Sequence, residues 1–285
     1  MTESEQPLVS ILIPCYNAGQ WVREAIESAL NQTYPNCEVI VVDDGSTDNS
    51  FEVIQSFGDK IRAETGPNRG GNPTRNRLLE LAQGAWVQYL DADDYLLPEK
   101  IESQLAAVRS GLAADFIFCT VRFLFHHEDG STSTADEAMP APEAWDSWEL
   151  LASWRLPQTG SPLWKRSAIV DVGGWKPDQP CCQEHELYCR MLRNGKKALF
   201  TPVVGTVYRQ WSTDTVCKKD VSKVHYFQIL IRRDAETYLE SKGEMTPARR
   251  RALSQGHFEC ARSMWQYAPD KARELVAELT RKDPQ

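Results

Sequence analysis

Three times within its first hundred residues this chain alternates a short apolar run with a helix-like repeat, and that order constrains the fold more than any other feature. Residues 8 to 14, LVSILIP, form the first run, and after YNAGQ the residues Trp21, Val22, Ala25, Ile26, Ala29 and Leu30 recur at helical spacing. Val39 to Val42 read as a strand buried on both faces, the loop DDGSTDNS offers several helix N-caps, and Phe51, Ile54 and Phe57 share one helical face. In the third unit residues 61 to 64 predict a short strand. Asn72 and Pro73 suit the cap and first position of a helix, and Leu78, Leu79 and Ala82 precede Gly84 as its terminator. WVQYL then runs into DADD. Such alternation with short connections is satisfied by a mixed, mainly parallel sheet flanked by helices, whose ligands bind beyond the carboxyl ends of the strands. Asp43-Asp44 and Asp91 to Asp94 both fall at those ends.

After a helix running from Pro98 to about Ser110 the alternation stops, and DFIFCTVRFLFHHEDGSTST reads as two strands around a turn near Asp129-Gly130. The Pro- and Trp-rich stretch MPAPEAWDSWELLASW follows, then an acidic helix around Glu184 to Leu192 and a strand near residues 198 to 209. From about Lys219 only helices are predicted. Phe227, Leu230, Ile231 and Tyr238, then Phe258, Ala261, Met264 and Trp265, mark their apolar faces, with breaks at Gly243 and Pro269. The expected division is a catalytic domain over 1–218, split into halves at 7–110 and 111–218, and a C-terminal helical extension over 219–285.

Charge and cysteine usage narrow the function classes. A formal net charge of −8 without a basic, aromatic-interleaved patch argues against nucleic acid as a partner. No apolar stretch approaches the roughly 20 residues that span a bilayer, so membrane association would be peripheral. The opening MTESEQPLVSILIP is acidic where a secretory leader is basic, and Pro14 interrupts its apolar run. Eight cysteines without a CxxC pair or zinc-ligand spacing suit thiols in a reducing compartment. The expectation is a cytoplasmic protein, compatible with the inner face of the membrane.

The chemistry-bearing residues lie after the strands. Carboxylates two apart in DADD can aim at one hard divalent cation, manganese or magnesium, and its phosphates, although the same letters also serve as turns and caps. Asp44 can accept hydrogen bonds from the imide or ribose of a nucleotide, with Gly45 permitting close approach, or can cap the next helix. Tyr16 offers an aromatic face to a base, and Asn17 follows it. In GPNRGGNPTRN the glycines admit close backbone approach and Arg75 can reach a phosphate.

The stretches PLVSILIPCYNAGQWVREAIESALNQTYPNCEVIVVDDGSTDNS and NRGGNPTRNRLLELAQGAWVQYLDADD resemble glycosyltransferase family 2. The likeness is strong over residues 7 to about 110 and weaker to about 210, through VGGWKPDQPCCQEHELYCRMLRNGKKALFTP. It implies the GT-A fold and an inverting, metal-dependent transfer from a nucleotide-diphosphate sugar, UDP favoured, to a hydroxyl of a saccharide or lipid-linked saccharide. It also implies a nucleotide site of Pro14, Tyr16, Asn17, Asp44, Arg75, Asp91, Ala92 and Asp93. Asp93 is then the first metal ligand and Asp91 contacts ribose or metal. Where the family carries Glu-Asp ahead of Leu-x-x-Arg, this chain has Gln183-Glu184 before Leu187 and Arg190, so Glu184 is the implied general base and Glu186 the fallback.

Gln158, Thr159, Gly160, Trp164, Trp175 and Trp211 are candidates for the acceptor side, although most of the nine tryptophans must serve the core, and QWSTDTVCKKD is a candidate either for a loop that orders over donor and metal or for a connector to the helices. A sugar nucleotidyltransferase would show a Gly-rich GxGTR-like loop after the first strand, where this chain has CYNAGQ. A catalytically inactive nucleotide or sugar binding module would lack a metal carboxylate or the base, yet Asp91, Asp93 and Glu184 are present.

Overall fold

The structure is a computed structural model that describes residues 6–137, 146–211 and 220–282. The chain forms two compact units. The first comprises 1–139, 157–178 and 196–211; the second comprises 140–156, 179–195 and 212–285.

In the first unit the alternating pattern becomes β1 (Val9–Cys15), α1 (Val22–Leu30), β2 (Cys37–Asp43), α2 (Ser50–Gln55), β3 (Arg62–Thr65), α3 (Gly71–Leu81) and β4 (Trp86–Tyr89). β5 (Tyr95–Leu96), α4 (Lys100–Arg109), β6 (Phe116–His126), β7 (Thr132–Asp136), β8 (Leu163–Lys165), α6 (Arg166–Asp171) and β9 (Ala198–Gln210) complete it, with α5 (Ser147–Ala152) and α7 (Gln183–Arg193) assigned to the second unit. Among the described residues nine strands make one sheet in the order β3-β2-β1-β4-β8-β6-β9-β5, with β7 on β6. β1 runs parallel to both β2 and β4, and β2 parallel to β3, so the loops after β1, β2 and β4 emerge at one edge. The central strands are buried on both faces, as parallel strands covered by helices must be. β5 pairs antiparallel with β9. The acidic loop is therefore held between a strand hydrogen-bonded to β1 and one hydrogen-bonded to β9.

Two expectations about α3 need correction. Its N-cap is Gly70, at φ 94°, and not Asn72, whose Nδ2 instead donates to Lys176 O at 2.8 Å. The conformation at position 70 lies in the region glycine enters without cost, which is why the helix starts earlier than its polar letters suggest. Gly84 is not the left-handed terminator either, because α3 ends at Leu81 and its C-cap, Ala82, is extended. Gly84 passes so close to β1 that an added Cβ would lie 2.7 Å from Leu8 O, Ser10 N and Ser10 Oγ.

The second unit is helical: α5, α7, then α8 (Val221–Ser241), α9 (Pro247–Met264) and α10 (Pro269–Lys282). Asp146 caps α5, accepting from Trp148 N and Glu149 N at 2.8 and 3.1 Å, and pairs with Arg249 at 2.7 Å. Ile229, Cys260, Ala261, Met264, Ala272 and Leu275 cluster in its interior. Leu230, Phe258 and Trp265 do not belong to that interior; they are 38%, 52% and 53% exposed. α8 turns Ile229, Arg232, Ala235 and Leu239 inward instead, a face containing a charge that apolar periodicity passes over.

Filling the contact at Gly84 overpacks backbone against backbone. We expect Gly84→Ala to destabilise the protein by about 1–3 kcal/mol, measured by denaturant unfolding, and an unchanged midpoint would refute the close approach.

Candidate active site

Stability of the loop edge comes from one loop bonding to the next. Asn17, at φ 49°, donates its backbone N–H to Ser46 Oγ at 2.9 Å and accepts Thr47 N–H on Oδ1 at 2.8 Å. Asparagine tolerates that backbone region better than most residues. Gly19 N–H reaches Asp48 at 3.0 Å and Ala18 N–H reaches Ser50 Oγ at 2.8 Å. These bonds tie the loop after β1 to the loop after β2. They leave Tyr16 52% exposed beyond Pro14, whose register partner on β2 is Val42.

Asp44 is buried, and its two oxygens accept Arg69 N–H and Gly70 N–H, each at 2.8 Å. The carboxylate thus holds the glycine-rich loop against the sheet edge. Gly45, at φ 73°, has no room for a side chain, since a Cβ would sit 2.8 Å from Asn68 N. Beside them Asp43, Asp44, Glu64, Thr65, Arg69 and Arg77 line a cavity of about 190 Å³.

The third loop carries the acidic cluster. Arg75, buried and with its guanidinium 5.0 Å over the Trp175 ring, donates to Asp91 Oδ1 at 2.8 Å. Trp211 Nε1 donates to Asp93 Oδ2 at 3.0 Å. Arg209 serves the same loop from β9: its backbone N–H donates to Asp94 Oδ1 at 2.8 Å and its Nη1 to Asp93 O at 2.7 Å. Its guanidinium lies between the rings of Trp21 and Tyr95, at 4.6 and 4.9 Å, and pairs with Glu24. Nothing in the sequence patterning singled out Arg209. The available signal was a cation inside an otherwise apolar strand run, VVGTVYRQW, which is costly unless it is paired.

Burial raises the Asp93 carboxyl above the usual carboxylate range, and the charge of Asp91 raises it further. Burial raises Asp94 well above that range, reinforced by Asp93 and Asp91. A divalent cation would relieve this crowding. Asp91 and Asp93 are each held through one oxygen by a side-chain donor, so each has its second oxygen for a hard cation. Among the described residues no group of three or more His, Cys, Asp or Glu forms a complete metal cage. Two carboxylates plus phosphate oxygens and water is a set that manganese or magnesium accepts, so the residues fit such an ion. Ala92, between them, is buried.

The second unit holds the two base candidates. Glu184 stands in the first turn of α7, just after Cys182, which has left-handed backbone at φ 57°. Glu186 is bound through both oxygens to Arg190, at 2.8 and 2.6 Å.

Of the residues read as acceptor contacts, Trp164 stacks on Phe116 in the core and Trp175 is buried beneath Arg75, so neither offers a face to a sugar. Thr159 is buried, and Gly160 O accepts from the buried Gln88 at 2.8 Å. Trp211 is 46% exposed and faces the acidic loop. Residues 212–219 of the expected mobile loop lie outside the described residues.

A cation held by Asp93 would compete with protons there. Because the pKa of Asp93 is raised, such a cation would be lost as pH falls through a value above the ordinary ~3.9 for aspartate. The Trp211 N–H favours the ionised carboxylate, so Trp211→Phe raises that pKa and moves the loss of manganese binding to higher pH. Titrating manganese affinity against pH in both proteins checks this; an unshifted or downward-shifted midpoint contradicts it.

Residues 10–139 match the family model described as "Glycosyl transferase family 2". An uncharacterized glycosyltransferase of Haemophilus influenzae is 45% identical over 103 residues, 35% of this chain and 41% of that protein. Chondroitin synthase of Escherichia coli is 36% identical over 119 residues, 41% of this chain and 17% of that protein. The matched segment thus spans less than half of either relative. Residues 1–349 of Staphylococcus aureus TarS in complex with UDP-GlcNAc superpose with a TM-score of 0.70 at 15% identity, covering 95% of this chain and 79% of that one. A mannosyltransferase from Pyrobaculum calidifontis in complex with GDP-Man and manganese gives 0.52 at 18% identity, covering 99% and 83%. The mixed sheet with its flanking helices is the GT-A fold, and residues 10–139 within it match the model of glycosyl transferase family 2.

Proposed function

We propose that this chain is a metal-dependent, inverting glycosyltransferase. It moves a sugar from a nucleoside diphosphate, UDP in the first instance, to a hydroxyl of a saccharide or lipid-linked saccharide. The observation that carries the reading is the acidic loop, with Asp91 and Asp93 following β4 at the same carboxyl edge of the parallel strands where Asp44 follows β2. The solved relatives bound to UDP-GlcNAc and to GDP-Man with manganese support the donor class.

In this reading Tyr16 stacks on the base, and Pro14, Asn17 and Asp44 shape its pocket. Arg75 orients Asp91 and meets the diphosphate, with Ala92 keeping the loop close to it. Asp93, assisted by Asp91, holds manganese or magnesium, which when bound offsets the negative charge developing on the departing diphosphate. The acceptor hydroxyl gives its proton to Glu184 as its oxygen attacks the anomeric carbon and the bond to the diphosphate breaks. Glu184 takes the base role by its place one residue after Gln183 and ahead of Leu187 and Arg190, and Glu186, paired with Arg190, is the fallback. A single in-line displacement inverts the anomeric centre.

Residues 219–285 act as an accessory helical extension of the domain over 1–218. In this reading the chain acts in the cytoplasm, with peripheral contact to the inner membrane face. Among the described residues no helix is long and apolar enough to cross a membrane.

Calorimetry with UDP, GDP and dTDP, each with and without manganese, tests the site. One nucleotide should bind in a manganese-dependent manner, and Asp93→Ala should abolish that dependence. Glu184→Gln should keep nucleotide affinity while transfer falls about 10²–10⁴-fold. Binding of none of the three would favour an inactive module, and a fully active Glu184→Gln enzyme would place the base elsewhere.

A further inference from the structure

Among the described residues the helical unit buries an arginine without an acidic partner. Arg232 occupies the inward face of α8 among Ile229, Ala235 and Leu239, and is 4% exposed. Its Nε donates to Ala152 O at 2.7 Å, its Nη1 to Cys260 Sγ at 3.2 Å, and the guanidinium lies 4.9 Å over the Trp154 ring. None of these groups is an anion by default, and no carboxylate pairs with Arg232 among the described residues. Other arginines of the same unit do have such partners: Arg193 with Asp234, Arg233 with Glu278 and Arg249 with Asp146. An uncompensated buried charge is among the costliest arrangements a protein keeps.

The seat is shaped for the guanidinium. An added Cβ at Gly256 would meet Arg232 Nε at 2.3 Å and Ala152 O at 2.5 Å, so α9 needs glycine where it passes. Trp154, at φ 60°, carries its ring into a stack on His185 at 3.8 Å. Beside the guanidinium lies a cavity of about 230 Å³ whose lining includes Ser153, His225, Gln228 and Ser263. Glu259 also lines it, but Glu259 is exposed and its Oε2 accepts from Arg262 at 2.6 Å. The cationic field reaches both nearby histidines. Burial, and after it the charge of Arg232, pushes His185 down to about 3 and lowers His225.

We propose that this cavity is an oxyanion site of phosphate class, in which Arg232 supplies the charge and Ser153, Gln228 and Ser263 supply neutral hydrogen-bonding groups. Guanidinium presents paired donors that match a phosphate's oxygens, and the cavity has room for a phosphate or a small phosphomonoester.

Calorimetric titration of the full chain with inorganic phosphate and with glycerol 3-phosphate, at constant ionic strength set by chloride, tests the proposal. Saturable one-to-one binding of either anion is expected. Gln228 and Arg232 are one helical turn apart, so Gln228→Glu sets a carboxylate beside the guanidinium without changing side-chain size. It should weaken phosphate at least tenfold while UDP binding holds and the thermal midpoint does not fall, which separates this site from the nucleotide site and from unfolding. Ser263→Glu, from α9, should do the same and stands in if the first variant does not fold. Absence of saturable binding by the wild-type protein, or affinity unchanged in a folded glutamate variant, would overturn the assignment.

Discussion

Three carboxylates within four residues cannot share a partly buried loop unless their mutual repulsion is answered, and the organisation of the first unit follows from how it is answered. Arg75 takes Asp91, Trp211 takes Asp93, and the backbone N–H of Arg209 takes Asp94. The Arg209 guanidinium, pressed between Trp21 and Tyr95, also fixes the loop's backbone through Asp93 O. This arrangement leaves the carboxyl of Asp93 above its ordinary pKa. The loop is therefore poised for a cation, because any nearby positive charge lowers the energy of the ionised cluster.

The sheet order makes that answer available. Pairing of β5 with β9 carries Arg209 and Trp211 to a loop that lies more than a hundred residues earlier in the chain. On the other side, β1 and β2 in parallel register bring their loops into hydrogen-bonding reach, and Asp44 pins the glycine-rich segment that leads into α3. α3 in turn delivers Arg75 to Asp91. The glycine-rich segment pinned by Asp44 and the acidic loop are thus joined by one helix, so a change at Gly70 or Asp44 reaches the acidic loop without touching it.

What local pattern records was readable in advance: the parallel units, the hairpin near Gly130, the acidic helix and the C-terminal helices all follow from apolar spacing and turn letters. The positions of Asp44, Asp91 and Asp93 at the sheet edge followed as well, since strand ends set them. Contacts distant in sequence were not readable. Arg209 looks like any strand cation until Trp21 and Tyr95 flank it, and Trp164 and Trp175 look like sugar platforms until Phe116 and Arg75 cover them. Gly70 displaced Asn72 as the cap because backbone freedom outweighed a polar side chain. The Glu186–Arg190 pair, by contrast, is an i,i+4 contact that spacing alone could have suggested.

The central claim is that the acidic loop supports cleavage of a nucleotide-sugar bond only together with a divalent cation. The most direct measurement is release of nucleoside diphosphate from UDP-GlcNAc and GDP-Man, in the presence of candidate saccharide acceptors, with manganese and then with an excess of chelator. The account predicts release from one donor with manganese, falling to background with chelator. Release that continues undiminished in chelator would contradict it.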